Sequence, residues 1–264
     1  AAIATVFSQV VSAGMVTVAL LRQPEETRLS LKKIRFQGGL LKRILYVGVP
    51  AGLQFVTFDL ANLLIQSGIN SFGDVAVAAW TAYVKTDSLT WMISGAFGVS
   101  VTTFVGQNFG AQKYDRIKAG VRMGVLLSIL IHIPLSAVEI FGGKRIASLM
   151  VTDPPVLELC RQYLLIVGIF VFFLGFLMVF RNCIQGMGNT WIPMLSGGLE
   201  VFSRLIFGYW LGRHSFMGIA AAEASAWISV SIMLGSSFFI LFRKVLRTQT
   251  PENTTDTKNI RTVS

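Results

Sequence analysis

The sequence predicts an all-α protein, a polytopic bundle of transmembrane helices. Three observations carry that expectation. Seven apolar stretches, each long enough to cross a bilayer, fill almost all of the 264 residues. Hydrophobic residues make up 53% of the chain and charged residues only 14%, where a soluble domain carries about 25% charge. Runs such as Leu164–Phe180 are apolar without a break. Strands of a membrane barrel would instead alternate apolar and polar positions over ~10 residues.

The spans follow from bilayer thickness. A hydrocarbon core of ~30 Å takes ~20 residues of helix, and backbone groups in lipid must find partners inside their own segment. The first span is Ala1–Leu21, rich in Ala and Val. The second, Leu41–Phe72, carries Pro50 and a polar stripe. The third, Val75–Gln107, follows a four-residue turn, Ser71–Asp74, so it returns antiparallel to the second. The fourth, Ile117–Phe141, contains Pro134. The fifth, Val156–Cys183, holds the longest apolar run. The sixth, Trp191–Leu211, is bracketed by Trp191 and Trp210 in the manner of an aromatic belt. The seventh, Gly218–Phe242, ends in a basic tail. Gly106/Gly110 and Gly120/Gly124 have the small-residue spacing of close helix contacts.

Charge fixes an orientation. The net charge is +10, which alone would suit a nucleic-acid partner. Its distribution argues against that. Arg22–Arg43 holds seven Lys/Arg, Lys113–Arg122 four and the tail from Arg243 five, while Lys144, Arg145 and Arg213 fall on the opposite side. Sixteen against three is the positive-inside bias. It predicts a multi-pass protein of the inner or plasma membrane with a cytoplasmic linker and C-terminus, no nucleic-acid partner, and lipid as the surrounding solvent. Cys160 and Cys183 sit at opposite ends of one predicted helix, too far apart to bond within it. His132 and His214 are isolated. No metal-ligand spacing, P-loop, nucleophile elbow or nucleotide fingerprint occurs. The expectation is a non-enzyme without a cofactor or an assigned metal.

The opening helix resembles the last one: Ala1–Phe7 lines up with Ala221–Trp227, and both helices run into basic stretches. With the abrupt apolar start, this predicts a duplicated protein of which the chain is about half. Residues 1–21 would then be the last helix of a first lobe, 22–40 a cytoplasmic linker, partly an amphipathic surface helix, 41–243 a six-helix lobe, and 244–264 a disordered cytoplasmic tail.

Polar groups inside apolar spans are costly and mark function by default. The second span carries Gln54, Asp59, Asn62, Gln66 and Asn70, the last four on one helical face. The third carries Lys85 and Asp87. Counted from the turn at Phe72/Gly73, Asp59 and Asp87 lie at matched depth, about 20 Å along their helices. Two carboxylates at one depth could share a proton or bind a cation; the structural alternative is that Lys85 neutralises one of them, from a different helix. Glu200 and Arg204 at i,i+4 suit an intrahelical ion pair. Glu223 and Arg181 lie near helix ends within reach of an interface, and Glu139 reads as a solvated residue at an outer helix end. The candidate cavity and ion-coupling residues are Gln54, Asp59, Asn62, Gln66, Lys85, Asp87 and Trp91, with Asp59 also a candidate Na+ contact.

Several segments resemble a known family. Gly106-Gln107-Asn108-Phe109-Gly110-Ala111-Gln112-Lys113-Tyr114-Asp115-Arg116 is similar to the signature after the eighth helix of multidrug and toxic compound extrusion (MATE) transporters. Val49-Pro50-Ala51-Gly52-Leu53-Gln54 resembles the start of the seventh helix, and Ala78-Ala79-Trp80-Thr81-Ala82-Tyr83 the eighth. Arg181-Asn182-Cys183-Ile184-Gln185-Gly186-Met187-Gly188-Asn189-Thr190 resembles the end of the tenth, and Gly218-Ile219-Ala220-Ala221-Ala222-Glu223 with Trp227 the twelfth. The resemblance implies one six-helix MATE-like lobe plus one preceding helix, from a secondary antiporter that exports organic, often cationic, compounds in exchange for H+ or Na+. It implies small organic substrates and a partner N-terminal lobe. Asp59 lies near the seventh-helix carboxylate that helps bind the coupling cation in some members, whereas Leu164–Phe180 carries no acid. Two rival readings are a flippase for lipid-linked oligosaccharides of the same superfamily and a non-transporting truncated membrane fragment.

Overall fold

The computed structural model describes residues 2–24, 35–212 and 215–249. The expectations placed on residues 25–34 of the linker, on Arg213 and His214, and on the tail past Gln249 lie outside the described residues. Among the described residues every regular element is helical: α1 (Ala2–Leu21), α2 (Gly38–Asn70), α3 (Asp74–Gly110), α4 (Tyr114–Ala137), α5 (Gly143–Ala147), α6 (Pro154–Gly186), α7 (Trp191–Phe207) and α8 (Phe216–Gln249). Two π turns join them: Val138–Gly142 links α4 to α5, and Gly208–Gly212 extends α7. Six of these helices are long and apolar enough to cross a membrane. The remaining predicted span, the sixth, is α7, which reaches its full length only by running into its π turn.

The chain divides into two units, Ala1–Leu45 and Tyr46–Ser264. In the first, α1 exposes Ile3, Val6, Phe7, Val10 and Met15, while the uncharged polar residues Thr5, Ser8, Gln9 and Ser12 share another face.

In the second unit α6 is the central helix, and α3, α4, α5, α7 and α8 all pack against it. Its side chains Tyr163, Leu164, Val167, Val171, Leu174 and Val179 are buried. Glycines set the approach of its neighbours. A Cβ on Gly168 would meet Ile140 and Glu139, one on Gly175 would meet His132, and one on Gly186 would lie 2.8 Å from the Thr102 carbonyl oxygen. Gly120 of α4 likewise leaves room for Phe104 of α3. α2 lies more loosely; Ala61, Ile65 and Ile69 face inward while much of its length is exposed.

Local chemistry explains the helix limits. Gly73 at φ +86° closes the turn between α2 and α3. Gly188 at φ +82° ends α6, where the Asn189 and Gly188 amides bond back to the Ile184 and Gln185 carbonyls. Pro154 and Pro155 start α6, where their missing donors cost nothing. Pro134 lies inside α4, shortly before the first π turn. Proline removes an i→i−4 bond, and a π turn is one way a helix absorbs that loss. The consequence for the sequence reading is specific. The fourth span does not stop at Phe141 but continues through the π turn to Ala147, so Glu139 sits inside the helix rather than at its end.

Candidate functional site

The second unit contains a chain of buried polar groups, unusual for an apolar bundle. It begins on α7. Glu200 and Arg204 form the expected i,i+4 pair, with Arg204 Nη2 2.9 Å from Glu200 Oε1. The other oxygen of Glu200 takes Arg181 of α6 at 3.3 Å. Arg204 reaches further, to Glu223 of α8 at 3.7 Å and to the Asn62 side-chain oxygen of α2 at 3.0 Å. The Phe58 ring caps it, with the guanidinium carbon 5.7 Å from the ring centre.

From Glu223 the chain passes to two tyrosines. Tyr163 of α6 donates to Glu223 Oε2 at 3.0 Å. The Tyr83 hydroxyl of α3 stands 3.3 Å from the same oxygen and 3.2 Å from Asp87 Oδ2. The next buried acid is Glu139, in the first π turn. Thr90 donates to Glu139 Oε1. One turn on, the Ser94 hydroxyl bonds to the Thr90 carbonyl and stands 2.9 Å from His132 Nε2, whose Nδ1 is 2.8 Å from the Ser128 carbonyl. Asp87 and Glu139 are each 3% exposed, Glu200 2% and Arg204 3%.

Four carboxyl groups thus meet two guanidinium groups. Both arginines sit at the α7 end. Buried charge is tolerated when paired and hydrogen-bonded, and that condition holds for Glu200 and Glu223. It does not hold for Asp87 and Glu139, which meet the hydroxyl groups of Tyr83 and Thr90 and no guanidinium among the described residues. Asp87 Oδ1 and Glu139 Oε2 each lack a hydrogen-bond donor among the described residues.

A cavity of about 450 Å³ lies beside this chain, lined by α2, α3, α6 and α7. Phe55, Phe58 and Trp91 give it aromatic walls; Gln54, Asp59, Asn182 and Gln185 give it polar ones; Arg181 and Glu200 close one side. Phe58 and Trp91 pack edge to face at 5.4 Å, and Trp91 in turn meets buried Trp227. Gln185 donates to Gln54 at 3.0 Å across the cavity wall. Arg181 is neutralised by Glu200, so Asp59 is the lining charge with no ion pair among the described residues.

The structure distributes the sequence candidates over two places. Gln54, Asp59 and Trp91 line the cavity. Asn62 meets Arg204, and Gln66 donates to Asn70 at 3.0 Å. Asp87 does not join Asp59; it is buried among Tyr83, Glu139 and Glu223, because the acids at matched depth point to different sides of the hairpin. Lys85 is exposed and neutralises neither, since two residues along a helix from buried Asp87 faces away. Glu139 is buried rather than solvated. It lies seven residues after buried His132 and eleven after buried Ser128, on the inward face that α4 already presents. Arg181, Glu223, Tyr83 and Tyr163 were the members that sequence reasoning undervalued or missed. The signal available for Glu223 was its position in the apolar interior of the last span.

A family model described as MatE matches residues 50–210. The chain belongs to the MatE family. Relatives agree: the "Probable multidrug resistance protein NorM" of Thermotoga maritima is 25% identical over 245 residues, 92% of this chain and 52% of its own. The "FAD transporter" of Shewanella oneidensis is 28% identical over 192 residues, 70% of this chain and 41% of its own. Among solved structures, a MATE in complex with MaL6 matches with a TM-score of 0.85 at 16% identity, covering 93% of this chain and 57% of that one. The bent form of the Vibrio cholerae MATE transporter VcmN matches at 0.75 and 19% identity, covering 94% and 56%. The MatE chain therefore spans about half the length of the curated relatives it matches. It is a multi-pass membrane protein of a transporter family.

Proposed function

We propose that this chain is the C-terminal lobe, with one preceding helix, of a secondary antiporter that exports organic, often cationic, compounds in exchange for H+ or Na+. The cavity carries the reading. Aromatic walls beside one unpaired carboxylate, Asp59, suit a flat organic cation. The partner lobe would close the cavity from the other side, and cation or proton binding would bias the pair of lobes between inward-open and outward-open states. The basic linker and tail would face the cytoplasm. A flippase for pyrophosphate-linked sugars would need a cationic cavity, whereas here Arg181 is neutralised by Glu200. Family membership and the cavity favour transport over an enzymatic role.

The test is ethidium efflux by the whole protein in cells. Asp59→Asn is expected to lower efflux by about tenfold while changing stability by less than ~0.5 kcal/mol, since the residue is exposed. Efflux unchanged at every pH would remove Asp59 from the mechanism.

A further inference from the structure

We propose that the groove between α3 and α4 holds an acyl chain of an anionic phospholipid whose phosphate lies against Arg116 and Lys113. The site stands apart from the cavity and does not depend on what the protein carries.

The groove encloses about 210 Å³. Phe97, Val101 and Phe104 of α3 form one wall, and Val121, Met123 and Leu127 of α4 the other. Organic ligands take pockets of roughly 300–1,000 Å³ with a few polar groups to orient them. This groove is smaller, and the Ser100 hydroxyl in its lining already donates to the Ala96 carbonyl. Its size and lining fit a length of hydrocarbon chain. The mouth opens outward, where Phe104, Met123 and Leu127 are exposed. It also lies on a different side of α3 from the cavity, which takes Trp91 and Gly95. A lobe seated over the cavity therefore leaves the groove uncovered.

Charge at one end selects the occupant. Residues 113–122 carry Lys113, Arg116, Lys118 and Arg122 against Asp115. All five are exposed, and none joins an ion pair among the described residues. They do not share a face. Arg116 falls one turn before Gly120, and Lys113 three residues earlier again, on the side of α4 that brings Gly120, Gly124 and Leu127 to the groove. Asp115, Lys118 and Arg122 point to the opposite side. The rim is held in place by its turn. The Lys113 amide donates to the Asn108 carbonyl at 2.8 Å, and the Phe109 and Tyr114 rings meet edge to face at 5.9 Å.

Depth agrees with charge. At 1.5 Å per residue, residues 120–127 lie about 6–16 Å along α4 from Arg116. Half a hydrocarbon core is ~15 Å, so a phosphate at Arg116 lays its acyl chain along the groove. A guanidinium without a carboxylate partner can take two phosphate oxygens, and Lys113 adds a point charge. Basic rims beside gaps between spanning helices recognise anionic head groups. A zwitterionic phospholipid brings its own cation to the same residues and gains less.

Native mass spectrometry of the whole protein in detergent tests this, with phosphatidylglycerol and phosphatidylcholine of the same chains added in turn. Phosphatidylglycerol is expected to bind about tenfold more tightly. Arg116→Gln should weaken it about fivefold, and Arg116→Gln with Lys113→Gln about tenfold or more. Lys118→Gln makes the same change of charge on the opposite face and should stay within about twofold. Equal affinity for the two lipids would overturn the proposal, since the groove would then be an apolar gap without selectivity. Equal losses for Arg116→Gln and Lys118→Gln would overturn it too, as diffuse attraction to a basic surface. Should the variants fail to fold, the wild type decides by photo-crosslinking. Phosphatidylglycerol with a diazirine in its acyl chain is expected to label residues 97–105 and 120–127 ahead of other exposed apolar positions such as Ile232, Phe239 and Ile240 of α8. Even labelling of all exposed helices would reduce the lipid to ordinary solvent and refute the site. A dimer that shields the groove from the label would assign it to a second copy and refute it as well.

Discussion

The two ends of the buried polar chain are built differently. At the α7 end, Glu200 and Glu223 share Arg204, and Arg181 closes the set. At the π-turn end, Asp87 and Glu139 have hydroxyl donors and, among the described residues, no cation. The first is held by opposite charge and resists any change in charge. The second is held by backbone proximity, with Gly168 of α6 lying against Glu139, and can change charge without losing a partner ion. Within this unit the same residue types therefore make one cluster braced by cations and one without a cation, and the position of two guanidinium groups separates them.

Substitutions can break this contrast or sharpen it. Arg204→Met should have the largest effect, because it leaves Glu200 and Glu223 buried with one cation fewer; a loss of ~3–5 kcal/mol is expected, read as a lowered Tm of the whole protein in detergent. Adding Glu223→Gln to that variant should recover part of the loss, and no recovery would mean that Arg204 acts through packing instead. Gly168→Ala should come next. Its Cβ would lie 3.0 Å from Ile140 Cγ1 and 3.2 Å from Glu139 Cβ, overpacking worth ~1–3 kcal/mol in the same melting experiment. Glu139→Gln should cost less than ~1 kcal/mol, because the amide oxygen can still accept from Thr90 and no ion pair is lost; a loss as large as that of Arg204→Met would erase the distinction between the two ends. Glu158→Gln should leave Tm unchanged. Its pair with Lys144 joins α5 to α6 and its pair with Arg161 lies within α6, all three side chains being substantially exposed, and such pairs contribute little.

How far the sequence reached differs from element to element. The spans were legible because bilayer thickness fixes helix length and lipid forbids irregular backbone; predicted Val75–Gln107 became Asp74–Gly110, and Val156–Cys183 became Pro154–Gly186. The Glu200/Arg204 pair was legible because i,i+4 spacing is local. Glu139 was not, because its apparent place at a helix end hid a π turn that prolongs the helix. The pairing of Asp59 with Asp87 went wrong for a related reason. Equal depth places two residues on one plane of the membrane, but rotation about each helix decides which neighbour they meet.

Composition and periodicity alone determined that this is a helical membrane protein, how many times it can span, and which residues lipid could not surround. Those are one-dimensional facts, set by chain length, hydropathy and the obligation to pair backbone groups in hydrocarbon. Which carboxyl faces an arginine and which faces only hydroxyl groups was decided when α3, α4, α5, α7 and α8 packed about α6. Charge compensation is a property of distances between helices, and no spacing along the chain encodes it.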